Sequence, residues 1–252
     1  MGACADSSWR ASLHLRRMVF KSVFTFGLCA LTVTYAQSEA PALIRVIRYT
    51  DNAASVQTYV QAKVPINVVG LTAISGKAEN WLIEMHDSFG SIEDVDKALA
   101  SPLPANSRAW IGFYRQGLSY RAEEGVKALA QARYVLSTIF QVRFGADADF
   151  AELVRQRRAR YDFVNLNRPE MAYQVISGMA SGTYVFLTPV NSLRALVEAV
   201  ARTSVVPDGA KRSPAGIEIS QEHVLFRIDP RLSHVSGQFA ESDPDFWSGK
   251  SR

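Results

Sequence analysis

The sequence predicts an α+β fold in which one β-α-β-β-α-β unit occurs twice. The first observation is a repeated phrase, in which apolar alternation leads to a Ser-Gly pair and then resumes, at residues 74–83 and again at residues 176–185. Such a phrase is typical of two strands joined by a tight loop. The second observation is that the same order of strand and helix patterns surrounds both phrases. The third is that length differences fall in the first helix and in the polar segment 203–216, where insertions are tolerated.

The first half contains six predicted elements. They are a strand over 43–49, a helix over 52–64, hairpin strands near 70–75 and 80–87, a helix over 91–99 and a strand over 109–115. Pro65 ends the first helix because its ring removes a helical hydrogen bond. Ser91 begins the second helix because serine is a good N-cap residue, and Asp94 follows three positions later.

The second half repeats this order after a connecting helix over 122–131. Its predicted elements are a strand over 134–144, a helix over 147–165, hairpin strands over 170–177 and 183–188, a helix over 191–202 and a strand over 222–229. Short matches align the halves: Ile44 with Ile139, Ser75 with Ser177, Ser91 with Ser192, and Leu118-Ser119-Tyr120 with Leu232-Ser233-His234. The predicted segments are a leader (1–36), a first repeat (41–121), a connecting helix (122–132), a second repeat (133–236) and a tail (237–252).

The leader is typical of a secretory signal peptide. Arg16, Arg17 and Lys21 precede an apolar run over 23–33, and Ala36 offers a cleavage point. The run is too short to span a bilayer, which needs about 20 residues, so we predict a periplasmic or secreted protein without stable membrane insertion after cleavage. Two alternatives stay open: a start at Met18, which would make 1–17 a misassigned segment, and export by the twin-arginine route.

The composition of the chain after the leader argues against several classes of function. The formal charge is +4, of which the leader supplies +3, so the body carries only +1. A near-neutral body argues against a nucleic-acid partner, which requires a concentrated basic surface. Cys4 and Cys29 both lie in the leader, so the body holds no disulfide, thiolate nucleophile or cysteine metal site.

Three common catalytic motifs are absent from the sequence. It has no phosphate-binding glycine-rich loop, no His-Glu-x-x-His zinc pattern and no Gly-x-Ser-x-Gly elbow. The sequence therefore argues against a nucleotide enzyme, a zinc peptidase and a serine hydrolase.

Each predicted unit has the split βαβ arrangement of the ferredoxin-like fold. A tandem duplication of that unit resembles the dimeric α+β barrel superfamily, in which two antiparallel sheets face each other around a shared cavity. The resemblance covers roughly residues 42–235 and rests on element order, without a catalytic motif. It implies a pseudo-dimeric α+β barrel, and it points to cofactor-free monooxygenases or to haem enzymes of the chlorite dismutase and dye-decolourising peroxidase kinds.

Alternation along the strands predicts which side chains face that cavity. The stripes expected under the helices are Ile47 and Tyr49; Phe140, Val142 and Phe144; Trp81, Ile83 and Met85; and Thr183, Val185 and Leu187. The stripes expected to line the cavity are Ile44, Val46 and Arg48; Ile139, Gln141 and Arg143; Leu82, Glu84 and His86; and Tyr184, Phe186 and Thr188.

Polar side chains of the cavity stripes form the predicted site. The predicted ligand-binding residues are Arg48, Arg143, Gln141 and Tyr184, and the predicted catalytic residues are His86 and Glu84. Two arginines favour an anionic ligand, and a histidine beside a carboxylate can shuttle protons near neutral pH. No metal and no cofactor is predicted there.

Structural interpretations of the same residues compete with this site. Arg48 and Arg143 can reach solvent or pair with Glu84, and His86 can be a hydrogen-bonded residue at a strand end. The two Leu-Ser repeats can be turns in which Ser119 and Ser233 bond the backbone. The arginines of the long helix, which are Arg155, Arg157, Arg158 and Arg160, are predicted to form a solvated face, and the tail is either disordered or a strap on the body.

We therefore predict an exported protein that binds a small organic molecule, favouring an anion, in the cavity between two repeats. One alternative is a cofactor-free oxygenase or isomerase-like enzyme in the same cavity. Another is a haem-binding peroxidase relative, for which His223 and His234 are the candidate ligands in the second half. The oligomeric state is not predicted.

Overall fold

The structure is a computed structural model that describes residues 40–50, 53–63, 66–86, 96, 99–204 and 217–249. The predicted leader lies outside the described residues, as do most of the predicted helix over 91–99 and the segment 205–216. No helix in the described ranges is both long enough and apolar enough to cross a membrane.

Strands and helices follow the predicted order. The strands are β1 (Leu43–Tyr49), β2 (Asn67–Ala73), β3 (Asn80–His86), β4 (Ser107–Tyr114), β5 (Tyr134–Val142), β6 (Met171–Ser177), β7 (Thr183–Val190) and β8 (Glu218–Ile228). The described helices are α1 (Ala53–Gln61), α2 (Gly125–Gln131), α3 (Asp147–Phe163), α4 (Leu193–Ser204), α5 (Gly237–Ala240) and α6 (Pro244–Trp247).

The eight strands form one closed antiparallel barrel. Their order around the barrel is β1-β3-β2-β8-β5-β7-β6-β4, and β4 pairs with β1 to close it. The first four strands are contiguous in this order, and so are the last four. The two halves meet at two seams, β2 with β8 and β4 with β6. The architecture is therefore a mixed α+β barrel.

A serine at each seam ties one half to the other. Ser233 Oγ accepts a hydrogen bond from the backbone N–H of Gly70 at 2.9 Å, and Ser119 Oγ accepts one from Ala172 N–H at 2.9 Å. Each hydroxyl also donates to the backbone carbonyl four residues earlier. A Cβ at Gly70 would lie 2.5 Å from the Leu232 carbonyl oxygen, so the close approach requires glycine. The structural interpretation of both Leu-Ser repeats is confirmed.

Apolar side chains fill the barrel interior. Trp81 contacts Trp110 edge-to-face at 6.1 Å between ring centroids and Phe226 at 4.5 Å. The same cluster draws residues from all eight strands, including Ile44, Val46, Leu71, Ile83, Tyr173, Val185, Val224 and Ile228. The space that the sequence predicted as a ligand cavity is thus occupied by a packed core, because the inward stripes carry large side chains.

The strand registers correct half of the predicted face assignment. Directly opposite residues of an antiparallel pair share a face, and Val46 lies opposite Ile83 while Ser137 lies opposite Leu187. The stripes of β1 and β5 are therefore as predicted, but those of β3 and β7 are inverted. Leu82, Glu84, His86, Tyr184, Phe186 and Thr188 lie on the helix side.

Phe144 was also placed under a helix, and that prediction is wrong. β5 ends at Val142, the chain turns at Gly145 with a φ of +79°, and Phe144 is 97% exposed.

The tail is a strap that closes one end of the barrel. Phe239 of α5 and Phe246 of α6 are buried in the interior cluster. The Trp247 indole N–H donates to the Ala130 carbonyl at 2.8 Å. Arg133 forms an ion pair with Asp243 and lies 4.0 Å from the Phe246 ring centroid. Of the two interpretations of the tail, the strap is confirmed.

Candidate functional site

The predicted site residues do not come together in one place. Arg48, on the inward stripe of β1, pairs with Glu79 at 2.6 Å and lies 5.9 Å from the Trp81 ring centroid. Gln141, at the end of β5, accepts a hydrogen bond from Thr183 Oγ1 at 2.9 Å. Arg143 follows that strand and is exposed. Glu84, His86 and Tyr184 lie on the helix side of the barrel wall.

Glu84 and His86 belong to a buried polar cluster between β1, β3 and α1. Arg45 stands directly opposite Glu84 and donates from Nε at 2.6 Å. The Tyr59 hydroxyl donates to the other carboxylate oxygen at 2.6 Å, and Lys63 Nζ lies 3.5 Å from it. His86 Nε2 is 3.8 Å from Glu84 and has no hydrogen-bond partner among the described residues. The carboxylate is therefore surrounded by donors.

These contacts keep Glu84 ionised. Burial alone would raise the pKa of the Glu84 carboxyl, but contacts from His86, Arg45 and Tyr59 outweigh burial and lower it to about 2. Burial and the hydrogen bond to Glu84 raise the pKa of the Tyr59 hydroxyl, and burial lowers the pKa of Lys63. A carboxylate with so low a pKa is a weak base at neutral pH. The geometry suits charge pairing, and the catalytic role of Glu84 with His86 stays a prediction.

Sequence reasoning missed Arg45, Tyr59 and Lys63, although one signal was present. Alternation places Arg45 on the helix-facing stripe of β1, beside Ile47. A buried arginine requires a hydrogen-bonded partner, and Glu84 is the carboxylate that the observed register places opposite it.

Tyr184 fixes the start of α3 against β7. Its hydroxyl donates to Asp147 Oδ1 at 2.6 Å, and its ring lies 4.8 Å from that of Phe150. Burial, followed by the bond to Asp147, raises the pKa of Tyr184 to about 12. Tyr184 therefore acts as a structural contact in the described residues.

A small pocket lies beside these contacts, between α3 and the outer face of the second half of the barrel. Its volume is about 180 Å³, and its lining consists of Phe140, Phe150, Leu153, Val154, Gln156, Arg157, Arg160 and Gln221. Phe150, Val154 and Tyr161 form the buried face of α3 because their spacing brings them to one side of the helix. The walls are mainly apolar, with cations at one side.

Arg157 is the central polar residue of this pocket. Its terminal NH2 donates to Glu170 at 2.5 Å, and its guanidinium carbon lies 4.6 Å from the Phe186 ring centroid and 5.4 Å from that of Phe140. Its Nε is buried without an acceptor among the described residues. The prediction that Arg157 belongs to a solvated face is wrong, because this residue points to the sheet, whereas Arg155 pairs with the partly exposed Glu152.

His223 on β8 contacts Gln221, one of the residues that line this pocket. Its Nδ1 lies 3.1 Å from Thr138 Oγ1 and its Nε2 lies 2.9 Å from Gln221 Nε2. Since an amide nitrogen only donates, Nε2 accepts here and Nδ1 carries the proton. Burial, followed by the charges of Arg157 and Arg168, lowers the pKa of His223. The imidazole is therefore neutral at neutral pH.

The pocket does not fit a haem group. Its volume is well below the ~300 Å³ at which drug-sized ligand pockets begin, and both ring nitrogens of His223 are engaged. His234, the other predicted ligand, pairs through its backbone with Val68 at the β2 seam. Within the described ranges, no group of three or more histidine, cysteine, aspartate or glutamate residues could hold a metal ion.

Comparison with known proteins gives a likeness of fold. No family model and no curated protein matches the chain. An anthrone oxidase-like protein of known crystal structure shares 12% identity with a TM-score of 0.49, over 79% of this chain and 95% of that chain. A chlorite dismutase variant from Candidatus Nitrospira defluvii shares 11% identity with a TM-score of 0.47, over 80% of this chain and 95% of that chain. The α+β barrel architecture that the sequence predicts is confirmed by the closed strand order of this chain itself.

Proposed function

We propose that this protein binds a small organic anion in the pocket under α3. The observation that carries this proposal is Arg157, a partly buried guanidinium at the wall of an aromatic pocket, with one nitrogen on Glu170 and a desolvated Nε. Aromatic walls with a few placed polar groups are what small-molecule recognition requires. Arg160 adds a second cation to the lining, so an anion is favoured over a neutral ligand.

The pocket limits the size of that ligand. A volume of about 180 Å³ accommodates roughly one ring. The rings of Phe140 and Phe150 supply flat apolar walls, and Arg157 supplies the charge-assisted hydrogen bond. An aromatic carboxylate meets all of these conditions.

An enzymatic function is the second candidate. It is favoured by His223, a neutral imidazole next to the pocket residue Gln221, because Nε2 can accept a proton at neutral pH once a ligand displaces the Gln221 hydrogen bond. An oxygenase or isomerase-like reaction would use it as the base. Native mass spectrometry of protein purified from its own host would identify the bound molecule. Conversion of that molecule on incubation in air favours the enzyme, and its recovery unchanged favours the binder.

We also propose that the two halves arose by duplication of a ferredoxin-like unit. The equivalent serine bonds at the two seams support this, and so do the strand registers, which coincide when Val46 is matched with Ser137. The sequence match of Ile44 with Ile139 is displaced from this by four residues and is corrected. Equal losses of unfolding free energy in Ser119→Ala and Ser233→Ala would support the equivalence, and clearly unequal losses would contradict it.

Export to the periplasm or beyond is proposed from the leader. The basic residues and short apolar run before Ala36 support it. Sequencing of the mature N-terminus is expected to begin at Gln37, and a mature chain that retains residues 18–36 would contradict the proposal.

A titration with benzoate tests the pocket. Benzoate carries one ring and one carboxylate, and we expect it to shift the amide resonances of residues around Phe140 and Phe150. Arg157→Gln removes the cation and should weaken binding by about tenfold or more, equivalent to at least ~1.4 kcal/mol. Arg155→Gln on the outer side of α3 is the matched control and should bind as the wild type does.

A second variant checks that weaker binding does not result from loss of folding. Leu153→Trp places a large ring in the pocket while keeping Arg157 with Glu170, and it should abolish benzoate binding in a protein with unchanged α-helical content. The proposal is contradicted if the wild type, Arg157→Gln and Leu153→Trp bind benzoate with the same affinity. It is also contradicted if the wild type does not bind benzoate at millimolar concentration.

A further inference from the structure

A larger cleft lies on the other side of the second half, between α2, α4 and the loop 165–169. Its volume is about 500 Å³, which is within the range of about 300–1,000 Å³ that is usual for ligand sites. Part of its surface is apolar, from Leu166, Pro169, Val190 and Leu196. The cleft is separate from the pocket under α3 and shares no lining residue with it.

Arg168 at this cleft has a guanidinium that the rest of the described chain does not satisfy. Its Nε is buried and lacks an acceptor, and no hydrogen bond or ion pair joins its side chain to another described residue. Burying a polar group without a partner is costly, and such groups call for an explanation. The terminal nitrogens are left for a ligand, and a planar carboxylate matches them.

Charges of both signs line the same cleft without neutralising one another. Lys127, Arg168 and Arg202 are cations, and Glu124 and Glu198 are carboxylates. In the part of the chain that the structure describes, none of these five groups lies within ion-pair distance of an opposite charge. The cleft thus offers sites for an anion and for a cation next to apolar surface.

The helix α4 forms one wall of the cleft and is little buried. Ala199 is its only buried residue among those described. The cleft face of α4 carries Glu198 and Arg202. A ligand that contacts these two charges and also Arg168 would connect α4 to the loop 165–169.

We propose that this cleft binds a small zwitterion, an α-amino acid with an apolar side chain. Its carboxylate contacts Arg168, its ammonium contacts Glu198, and its side chain lies on the apolar surface. This site is independent of the proposed function under α3. The two opposite charges of the ligand match the two unneutralised signs of the cleft, which a simple anion would satisfy only in part.

Calorimetric titration with three matched probes tests this assignment. Leucine carries both charges, 4-methylpentanoate carries the carboxylate alone, and 3-methylbutylamine carries the ammonium alone. We expect leucine to bind about tenfold more tightly than either of the others. Equal affinity of leucine and 4-methylpentanoate overturns the zwitterion assignment, and so does the absence of leucine binding at millimolar concentration.

Variants locate the two charges of the ligand. Arg168→Gln should weaken leucine binding about tenfold, and Glu198→Gln should weaken leucine but leave the affinity for 4-methylpentanoate unchanged. Arg194→Gln on α4 outside the cleft is the control and should have no effect. Because Glu198→Gln leaves the pocket under α3 untouched, it should bind benzoate normally, so failure of one site is distinguishable from failure of the other. A similar loss in Arg194→Gln overturns the proposal.

Discussion

Single residues decide where the polar chemistry of this barrel lies. Among the described residues, each half buries one carboxylate between sheet and helix, Glu84 on β3 and Glu170 just before β6. Each carboxylate is held by one arginine, Arg45 from β1 in the first half and Arg157 from α3 in the second. The arginine opposite Glu84 is closed in by Tyr59, whereas Arg157 borders a pocket. This difference is why the candidate site lies in the second half.

The low pKa of Glu84 predicts how stability depends on pH. Its folded pKa of about 2 lies below the value of about 4.3 that an unperturbed glutamate has. A depressed pKa gives stability that is fully present above the unfolded pKa and is lost as pH falls toward the folded pKa. The difference corresponds to about 3 kcal/mol.

Glu84→Gln should therefore cost about 3 kcal/mol or more near pH 7, and its cost should shrink between about pH 5 and pH 2. Urea unfolding at several pH values measures this. Glu79→Gln, which removes the partly exposed partner of Arg48, is the control and should cost below about 1 kcal/mol.

A paired variant distinguishes the loss of the Arg45–Glu84 ion pair from the loss of packing at these two positions. The second half has Leu136 opposite Thr188, where the register of the first half has Arg45 opposite Glu84. Arg45→Leu with Glu84→Thr copies that pair and should be more stable than Glu84→Thr alone, because no arginine is left beside a missing carboxylate. A double variant that is the less stable of the two contradicts the explanation.

At the scale of elements, the sequence predicts strand order far better than it predicts faces. Period-two alternation located β1 to β7 within a few residues, and the Ser-Gly phrases located both hairpins. The faces of β3 and β7 were inverted because the more polar stripe, with Glu84 and His86, was assigned to a cavity. Both faces of these strands are buried, so polarity alone could not decide, and the register with β1 and β5 was needed.

The two halves also show which sequence matches are informative. The match of Ser119 with Ser233 identified equivalent seam contacts, since each serine has a fixed backbone partner. The match of Ile44 with Ile139 was off by four residues, because any apolar residue of an alternating strand aligns with another. Shifting an alignment by an even number of residues leaves each side chain on the same face of the strand. The inward stripes of β1 and β5 were therefore predicted correctly despite the wrong match.

The seam serines yield a prediction for the contact between the halves. Ser119→Ala leaves the Ala172 amide without an acceptor and should destabilise the protein by about 1–3 kcal/mol. Ser233→Ala should cost a similar amount through the Gly70 amide. Ser248→Ala, in the exposed tail end, should stay within about 0.5 kcal/mol. Urea unfolding measures the cost, and hydrogen exchange should accelerate at the two named amides. Unchanged exchange there contradicts the assigned bonds.

For the molecule as a whole, closure of the barrel places both candidate pockets on its outer surface. The predicted shared cavity assumed two sheets with their more polar stripes facing inward. Instead, Trp81, Trp110 and Phe226 occupy the centre, and the strap of α5 and α6 covers one end. The two pockets discussed above lie outside the barrel interior, beside α3 and α4. The sequence could not show this, because the volume of a barrel interior depends on how side chains from distant strands pack together.

The contacts of the strap predict different stabilities for two phenylalanine variants. Phe246 is 7% exposed in the interior cluster, whereas Phe144 is 97% exposed. Phe246→Ala should destabilise the protein by about 3–5 kcal/mol, because it leaves a cavity where α6 meets the core and removes the ring under Arg133. Phe144→Ala should change the unfolding free energy by less than about 0.5 kcal/mol. Urea unfolding distinguishes them, and Phe246→Ala should also bind a hydrophobic dye at the opened barrel end. Equal stability of the two variants would mean that the strap does not close the barrel in solution.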